Sequence, residues 1–396
     1  MAEKRTLLIP SLLDAHYPLL QWAFTSAQWE PVLLEGDWRE LEHLGQRHMH
    51  NDLCVPFVMI TGQVLAALRS GKYAPDRTGV LVAQAGGSCL IRMLRPVLDK
   101  EGFSQVPLLS LNVRGLERSA ALPVGPVMAL RARAALFWGD VLQLLAAQRR
   151  PYEVVPGQTE ALRQKWLETL GEDLRRRRNL SGFGILRRCR QMATQFRAIP
   201  VTDRKCQRVG MTGDIYTKNC HLGNRDMVRY LEAHGCEVGV AGMSWYTLYY
   251  IDTHLDVWPL PVRLGGRLLG AWLEYTQRRI LTILESAGFS ALPPYRVLKE
   301  QARGLAPMSC ALGAGWLMAA EMAGWVRAGY RKVLCCQSFG CLPGHICARG
   351  QYAALMRQLP GSLIVGVDFD PSTGEGTVQS RVRMLLDTEL EPVPTP

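Results

Sequence analysis

The chain switches twice between two hydrophobic rhythms, and this switching restricts its fold more than any single motif does. In the first third, short apolar runs at Thr6 to Ile9, Pro31 to Leu34, Gly79 to Ala83 and Pro107 to Leu111 alternate with helix-like segments at His16 to Thr25, Met59 to Ser70 and Leu90 to Glu101. Short apolar runs bounded by turn signals read as buried strands, and the longer segments between them as helices. Such alternation predicts a parallel sheet with helices on its faces, because parallel strands need a crossover to bring the chain back in the same direction. From about Pro123 to Arg197 the rhythm is helical throughout, with segments at Val127 to Gln148 and Gln158 to Leu170 rich in good helix formers. Alternation resumes with strands at Arg208 to Gly213, Cys236 to Ala241, Lys332 to Cys336 and Leu363 to Asp368. Helices are predicted between them at Leu222 to His234, Leu264 to Ala287 and Ala314 to Ala328.

The predicted fold class is therefore α/β, with two Rossmann-like parallel-sheet lobes joined by a helical connector and a site in the cleft between them. The predicted boundaries are an N-terminal α/β lobe over 1–122, a helical connector over 123–205, a C-terminal α/β lobe over 206–390 and a Pro-rich, disordered tail over 391–396. A length of 396 residues agrees with two cores, since single cores stop growing near ~250–300 residues.

No apolar run reaches the ~18 residues of a membrane span, and the apolar stretch at Thr6 to Ile9 is too short for a signal peptide. A cytoplasmic location is expected, where thiols stay reduced, so the eleven cysteines argue against a disulfide framework. Metal binding, redox chemistry and core packing remain. Much of the net charge of +11 is concentrated at Arg175 to Arg178 and at Arg187, Arg188 and Arg190. With Phe183 the one aromatic among them, nucleic acid is not the expected partner. A solvated helical face is the simplest reading, and an acidic partner or an anionic substrate is the other.

The stretch Cys335-Cys336-Gln337-Ser338-Phe339-Gly340-Cys341-Leu342-Pro343 follows the strand-like Lys332-Val333-Leu334. Its thiols are thus predicted at the carboxyl end of a buried strand, where open α/β sheets gather their ligands. Cys54, in Asn51 to Pro56, and Cys89, after Gly86-Gly87-Ser88, have similar settings. Zinc sites are usually assembled from closely spaced pairs, whereas single thiols on separate loops suit a larger object such as an iron–sulfur cubane, typically held by Cys thiolates. Gly86, Gly87 and Gly340 are candidate sources of backbone N–H groups aimed at its sulfurs. Plain burial of a small apolar side chain is the competing reading, and it is the expected one for Cys189, Cys206 and Cys236. His345 reads as a helix cap, or as a ligand or proton donor. Asp214, Asp368 and Asp370 read as loop and cap carboxylates, or as polar groups converging on the site. No P-loop sequence occurs, and Gly182-Phe183-Gly184 and Gly313-Ala314-Gly315 lack the full dinucleotide fingerprint. The second of these could still present N–H groups to an anion.

Several of these segments, taken in order, resemble the acyl-CoA dehydratase activase-related family, part of the wider 2-hydroxyacyl-CoA dehydratase and benzoyl-CoA reductase group. They are Asn51 to Pro56, Gly62-Gln63-Val64, Leu68 to Tyr73, Gln84 to Cys89, Pro107 to Asn112, Gly115-Leu116-Glu117 and Arg150 to Glu153, then Gly213 to Lys218, Gly313 to Leu317, Cys335 to His345 and Asp368 to Pro371. The resemblance implies a protein of anaerobic metabolism that holds an oxygen-labile cluster through Cys54, Cys89, Cys335 and Cys341, with a 4Fe–4S cubane preferred. It implies low-potential electron transfer, or reduction or dehydration of a small molecule such as an acyl-CoA thioester. An ATP-dependent activase with its own cluster is the implied partner. Many relatives carry that ATPase fused at the N-terminal side, whereas this sequence starts at the cluster-binding part, so the activase is expected in trans. A homodimer is expected as well.

An 8Fe–9S double cubane is the alternative cofactor and would need further thiolates from Cys220, Cys310, Cys336 or Cys347. A non-catalytic scaffold that docks on an ATPase through Arg175 to Arg190 is the alternative function, and a relative that has lost its cluster is a third. Where the family shows Cys-Val-Gln-Pro-Phe-Gly-Cys, this chain has Ser338 in place of Pro and an added thiol at Cys336, and Gly344 replaces Asn before His345. The ligand register between Cys335 and Cys336 is thereby open. Four thiolates on one cubane would make an electron carrier, and three would leave one iron open to a substrate oxygen.

Overall fold

The structure of the protein, a computed structural model, describes residues 4–50, 53–82, 89–110 and 125–390. Among the described residues, eight strands form two four-stranded, all-parallel sheets. The first contains β1 (Arg5–Ile9), β2 (Trp29–Leu33), β3 (Thr78–Val82) and β4 (Leu108–Ser110) in the order β2-β1-β3-β4. The second contains β5 (Gln207–Gly213), β6 (Cys236–Val240), β7 (Lys332–Ser338) and β8 (Leu363–Phe369) in the order β6-β5-β7-β8. Both sheets therefore repeat one strand order, and each reverses direction between its first and third strands. Strands covered on both faces need no polar alternation, which is why Leu7, Leu8 and Ile9 are all buried and why β7 is buried along its whole length.

The predicted crossover helices form at Tyr17–Phe24, Val55–Arg69 and Cys89–Lys100 in the first lobe. In the second lobe the single helix predicted over Leu222 to His234 is two short ones, His221–Asn224 and Met227–Ala233. Between them Arg225 and Asp226 both take left-handed backbone, at φ 54 and 59, a region uncommon for residues other than glycine. Side-chain bonding offsets that cost. The buried Arg225 guanidinium donates to the carbonyls of Asp370 (2.8 Å) and Thr373 (2.7 Å) and to the Glu42 carboxylate, and it lies over the Trp38 ring. It thereby fastens the helix Trp38–Gln46 of the first lobe to the loop after β8 of the second.

The segment 123–205 is not a spacer. Its helices Pro126–Ala147, Gln158–Arg175 and Gly182–Arg197 share one core with Met243–His254, Leu260–Ser286, Tyr295–Ala302 and Gly315–Arg327. Trp138, Leu170 and Phe196 from the first group are buried together with Leu248, Leu281 and Trp316 from the second. This core meets the second sheet through Trp325, and a Cβ at Gly210 of β5 or Gly239 of β6 would come within 2.7 Å of that side chain. Among the described residues no helix is long and apolar enough to cross a membrane.

Candidate functional site

The second sheet changes direction between β5 and β7, and its ends are locked together there. Gly213 closes β5 at φ 135, and a Cβ on it would stand 1.6 Å from the Cys336 carbonyl oxygen, so only glycine lets the two strand ends meet. The next residue, Asp214, accepts the Thr217 N–H at 2.9 Å and so caps the short helix Ile215–Asn219. Its other oxygen accepts the Ser338 N–H at 2.7 Å. With that backbone group satisfied, β7 continues to Ser338, pairing residue for residue with β8.

Cys335 and Cys336 consequently lie inside the strand. Successive strand residues point to opposite faces: Cys335 joins the core of Trp316 and Tyr330, and Cys336 joins that of Met211 and Val367. Both are fully buried. Burial pushes the Cys335 thiol up to about 12 and the Cys336 thiol well up, so both are protonated at neutral pH.

Cys341 lies past the strand end and is partly exposed. Its N–H donates to the Ser338 carbonyl at 3.1 Å. A Cβ on Gly344 would come to 2.8 Å from Gln337 Oε1 and 3.3 Å from Cys341 Sγ, so this position too is shaped for glycine. Burial raises the Cys341 thiol to about 11. Burial raises the Cys347 thiol to about 11, and its neighbours Cys310 and then Cys341 add to the rise. Cys347 thus has both Cys310 and Cys341 as neighbours, but the three sulfurs do not all lie within 4.8 Å of one another; Leu312, Phe339, Leu342 and Ile346 are exposed near them in the chain. Gln337 Nε2 donates to Asp368 at 2.7 Å, and Arg349 holds the same carboxylate at 2.6 Å. Gln337 Oε1 is buried and has no hydrogen-bond partner among the described residues.

Beyond Cys341 the chain forms a π-turn at Gly344–Ala348, a 3₁₀ turn at Arg349–Gln351 and an α-helix at Tyr352–Gln358. His345 sits inside the π-turn, edge-on to Phe339 at 6.3 Å. Gly340 supplies a left-handed turn at φ 73 with open space around its α-carbon. Asp370 accepts the Ser372 N–H at 2.8 Å and so stiffens the loop after β8.

In the first lobe, Cys54 is the N-cap residue of Val55–Arg69, and Cys89 is the first residue of Cys89–Lys100. The Cys89 side chain, Gly86, Gly87, the motif residues of 111–117 and the tail 391–396 lie outside the described residues. Cys89 follows β3 as Cys341 follows β7, and these strands hold the same position in their two sheets. The arginine-rich region has local partners: Arg175 and Arg176 pair with Glu172, Arg187 donates to Asn179, and Arg188 pairs with Asp173.

One further constellation escapes sequence reasoning. A cleft of about 520 Å³ opens between the loops after β1 and β2, the connector and the second lobe. On its wall Asp14 Oδ1 lies 2.9 Å from His221 Nδ1, and Asp14 Oδ2 accepts the His221 N–H at 2.7 Å. These residues are 207 positions apart in the chain, and no motif links them. No protein-family model matches the chain, and no curated protein matches it in sequence.

Proposed function

We propose that the chain is an iron–sulfur protein of the kind its motifs resemble. In this reading it is a cubane-binding component that works with an ATP-driven electron donor in trans on a small substrate such as an acyl-CoA thioester. The observation that supports it best is the repeat of one strand order in both lobes, with Cys89 and Cys341 following equivalent strands beside the switch points where such sheets take their ligands.

The donors fit the group unevenly. Cys341 suits it: the residue is partly exposed past the strand end and has Cys347 as a neighbour. Cys335 does not, because its thiol is enclosed within the strand, and Cys336 faces the other side of the sheet. Cys54, Cys89 and Cys341 are therefore the proposed ligands, with Cys347 the better candidate for a fourth than Cys335. When bound, a cubane supplies a low-potential electron. The chain's own part is to surround the site with apolar side chains such as Phe339, Leu342 and Ile346, which tune a cluster's potential.

A cytoplasmic location and a homodimer go with this reading. The scaffold alternative draws less support, since Arg175, Arg176 and Arg188 already have carboxylate partners. Anaerobic reconstitution, followed by iron and acid-labile sulfide determination and EPR of the dithionite-reduced protein, tests the proposal. The expected result is about four irons per chain, retained in Cys335→Ala and lost in Cys341→Ser. A wild-type chain that takes up no iron overturns it.

A further inference from the structure

A second donor set bridges the lobes and is distinct from the thiols near β7. Asp14 comes from the loop after β1, while Cys220 and His221 lie where the helices Ile215–Asn219 and His221–Asn224 meet. Cys220 has extended backbone, at φ −121 and ψ 120, so the chain turns there before the next helix begins. Cys220 Sγ is buried and donates to the Ser11 carbonyl at 3.6 Å. One ligand atom from each of Asp14, Cys220 and His221 lies within 4.8 Å of the other two.

That spacing is within what one ion can span, given Zn–O and Zn–N bonds of about 2.0–2.2 Å and Zn–S bonds of about 2.3 Å. One carboxylate, one thiol and one imidazole make a mixed O, S and N set that suits a borderline ion, whereas Ca²⁺ and Mg²⁺ prefer oxygen alone. A second observation points to a ligand. Asn219, the neighbour of Cys220, lines the same cleft and is only 7% exposed, yet its Oδ1 has no hydrogen-bond partner among the described residues.

We propose that Asp14, Cys220 and His221 form a site for a Zn²⁺-class ion, with a fourth coordination position open to the cleft. Binding releases the Cys220 thiol proton to solvent and takes His221 as neutral imidazole through Nδ1. The thiolate and the Asp14 carboxylate then balance the two charges of the ion, which accounts for a thiol buried beside a carboxylate. Three protein ligands and an open position form the arrangement of catalytic rather than structural zinc.

Co²⁺ alone, added anaerobically to the full chain, is the probe. The expected result is a single tetrahedral ion with thiolate-to-cobalt charge-transfer absorption, displaced by Zn²⁺. The absorption should be unchanged in Cys341→Ser, which removes the proposed cluster, and absent in Cys220→Ser. Because Cys220 is fully buried and its replacement can unfold the chain, Asp14→Asn is the second test: it keeps an oxygen for the His221 N–H, and the Co²⁺ affinity should fall at least ~10-fold. Wild-type affinity in Asp14→Asn, absorption that survives Cys220→Ser or disappears in Cys341→Ser, or no absorption in the wild type overturns the proposal. Asp14 and His221 are then a plain ion pair.

Discussion

Lys218 Nζ lies 2.6 Å from one Glu321 oxygen and 2.8 Å from the other, and both side chains are 1% exposed. Thr212 on β5 donates to the same carboxylate at 2.7 Å. The pair joins the short helix after β5 to the helix Gly315–Arg327, directly behind the switch point. Removing one member leaves a buried charge without its partner, so Lys218→Met should cost about 3–5 kcal/mol of stability. Lys218→Met combined with Glu321→Leu should recover most of that loss, because two apolar side chains replace the pair. Urea unfolding of the single and double variants measures this.

Gly213 gives a second test of the switch point. Gly213→Ala sets a Cβ against the Cys336 carbonyl at a φ that side chains rarely adopt, and a loss of at least about 3 kcal/mol is expected. Gly376, inside the helix Glu375–Asp387 with open space around it, is the opposite case. Gly376→Ala should raise stability by about 0.5–1 kcal/mol. Thermal melts of the two variants should move in opposite directions.

His221 makes stability depend on pH. The Asp14 hydrogen bond raises its pKa above the ordinary value, charge interactions with Asp14 and Asp226 add to this, and burial and Arg229 oppose it. The folded chain thus holds the imidazolium more tightly than the unfolded chain does. This contribution is complete below the unfolded value of about 6.5, and it is lost as pH rises through the raised folded value. In metal-free protein the Tm should therefore fall over that interval, and the fall should be shallower in Asp14→Asn. Melting curves from about pH 6 to 9 decide it.

Arg225 tests the tie between the lobes. Arg225→Lys keeps the charge, but it loses the planar fork that reaches the Asp370 and Thr373 carbonyls and Glu42 together, and it loses the stack on Trp38. A cost of about 2–3 kcal/mol is expected, with faster proteolysis of the loop after β8. Limited digestion at matched Tm offsets checks the second effect.

The strands are readable because each contains a short apolar run, such as Leu7 to Ile9 in β1 and Val333 to Cys336 in β7, which suits a sheet covered on both faces. The strand predicted over Lys332 to Cys336 runs on to Ser338 for a physical reason. The run Cys-Cys-Gln-Ser looks like the end of a strand, but Asp214, more than a hundred positions away, accepts the Ser338 N–H and carries β7 onward. The break at Arg225 and Asp226 carries no glycine to announce it, because bonds to distant carbonyls hold the left-handed backbone. Asp14 and His221 meet only through the packing of two lobes. Cys54, Cys89 and Cys341, in contrast, lie at helix starts and past a strand end, which neighbouring residues do signal.

The mixed helical core also governs how the chain is made. Trp138, Leu170 and Phe196 leave the ribosome well before Leu248, Leu281 and Trp316, with which they share that core. Synthesis proceeds at about 5–20 residues per second, so the first three helices wait on the order of ten seconds with their apolar faces uncovered. Nascent chains stalled near residue 205 should therefore hold chaperones, and release should come only after the helix Gly315–Arg327 has emerged.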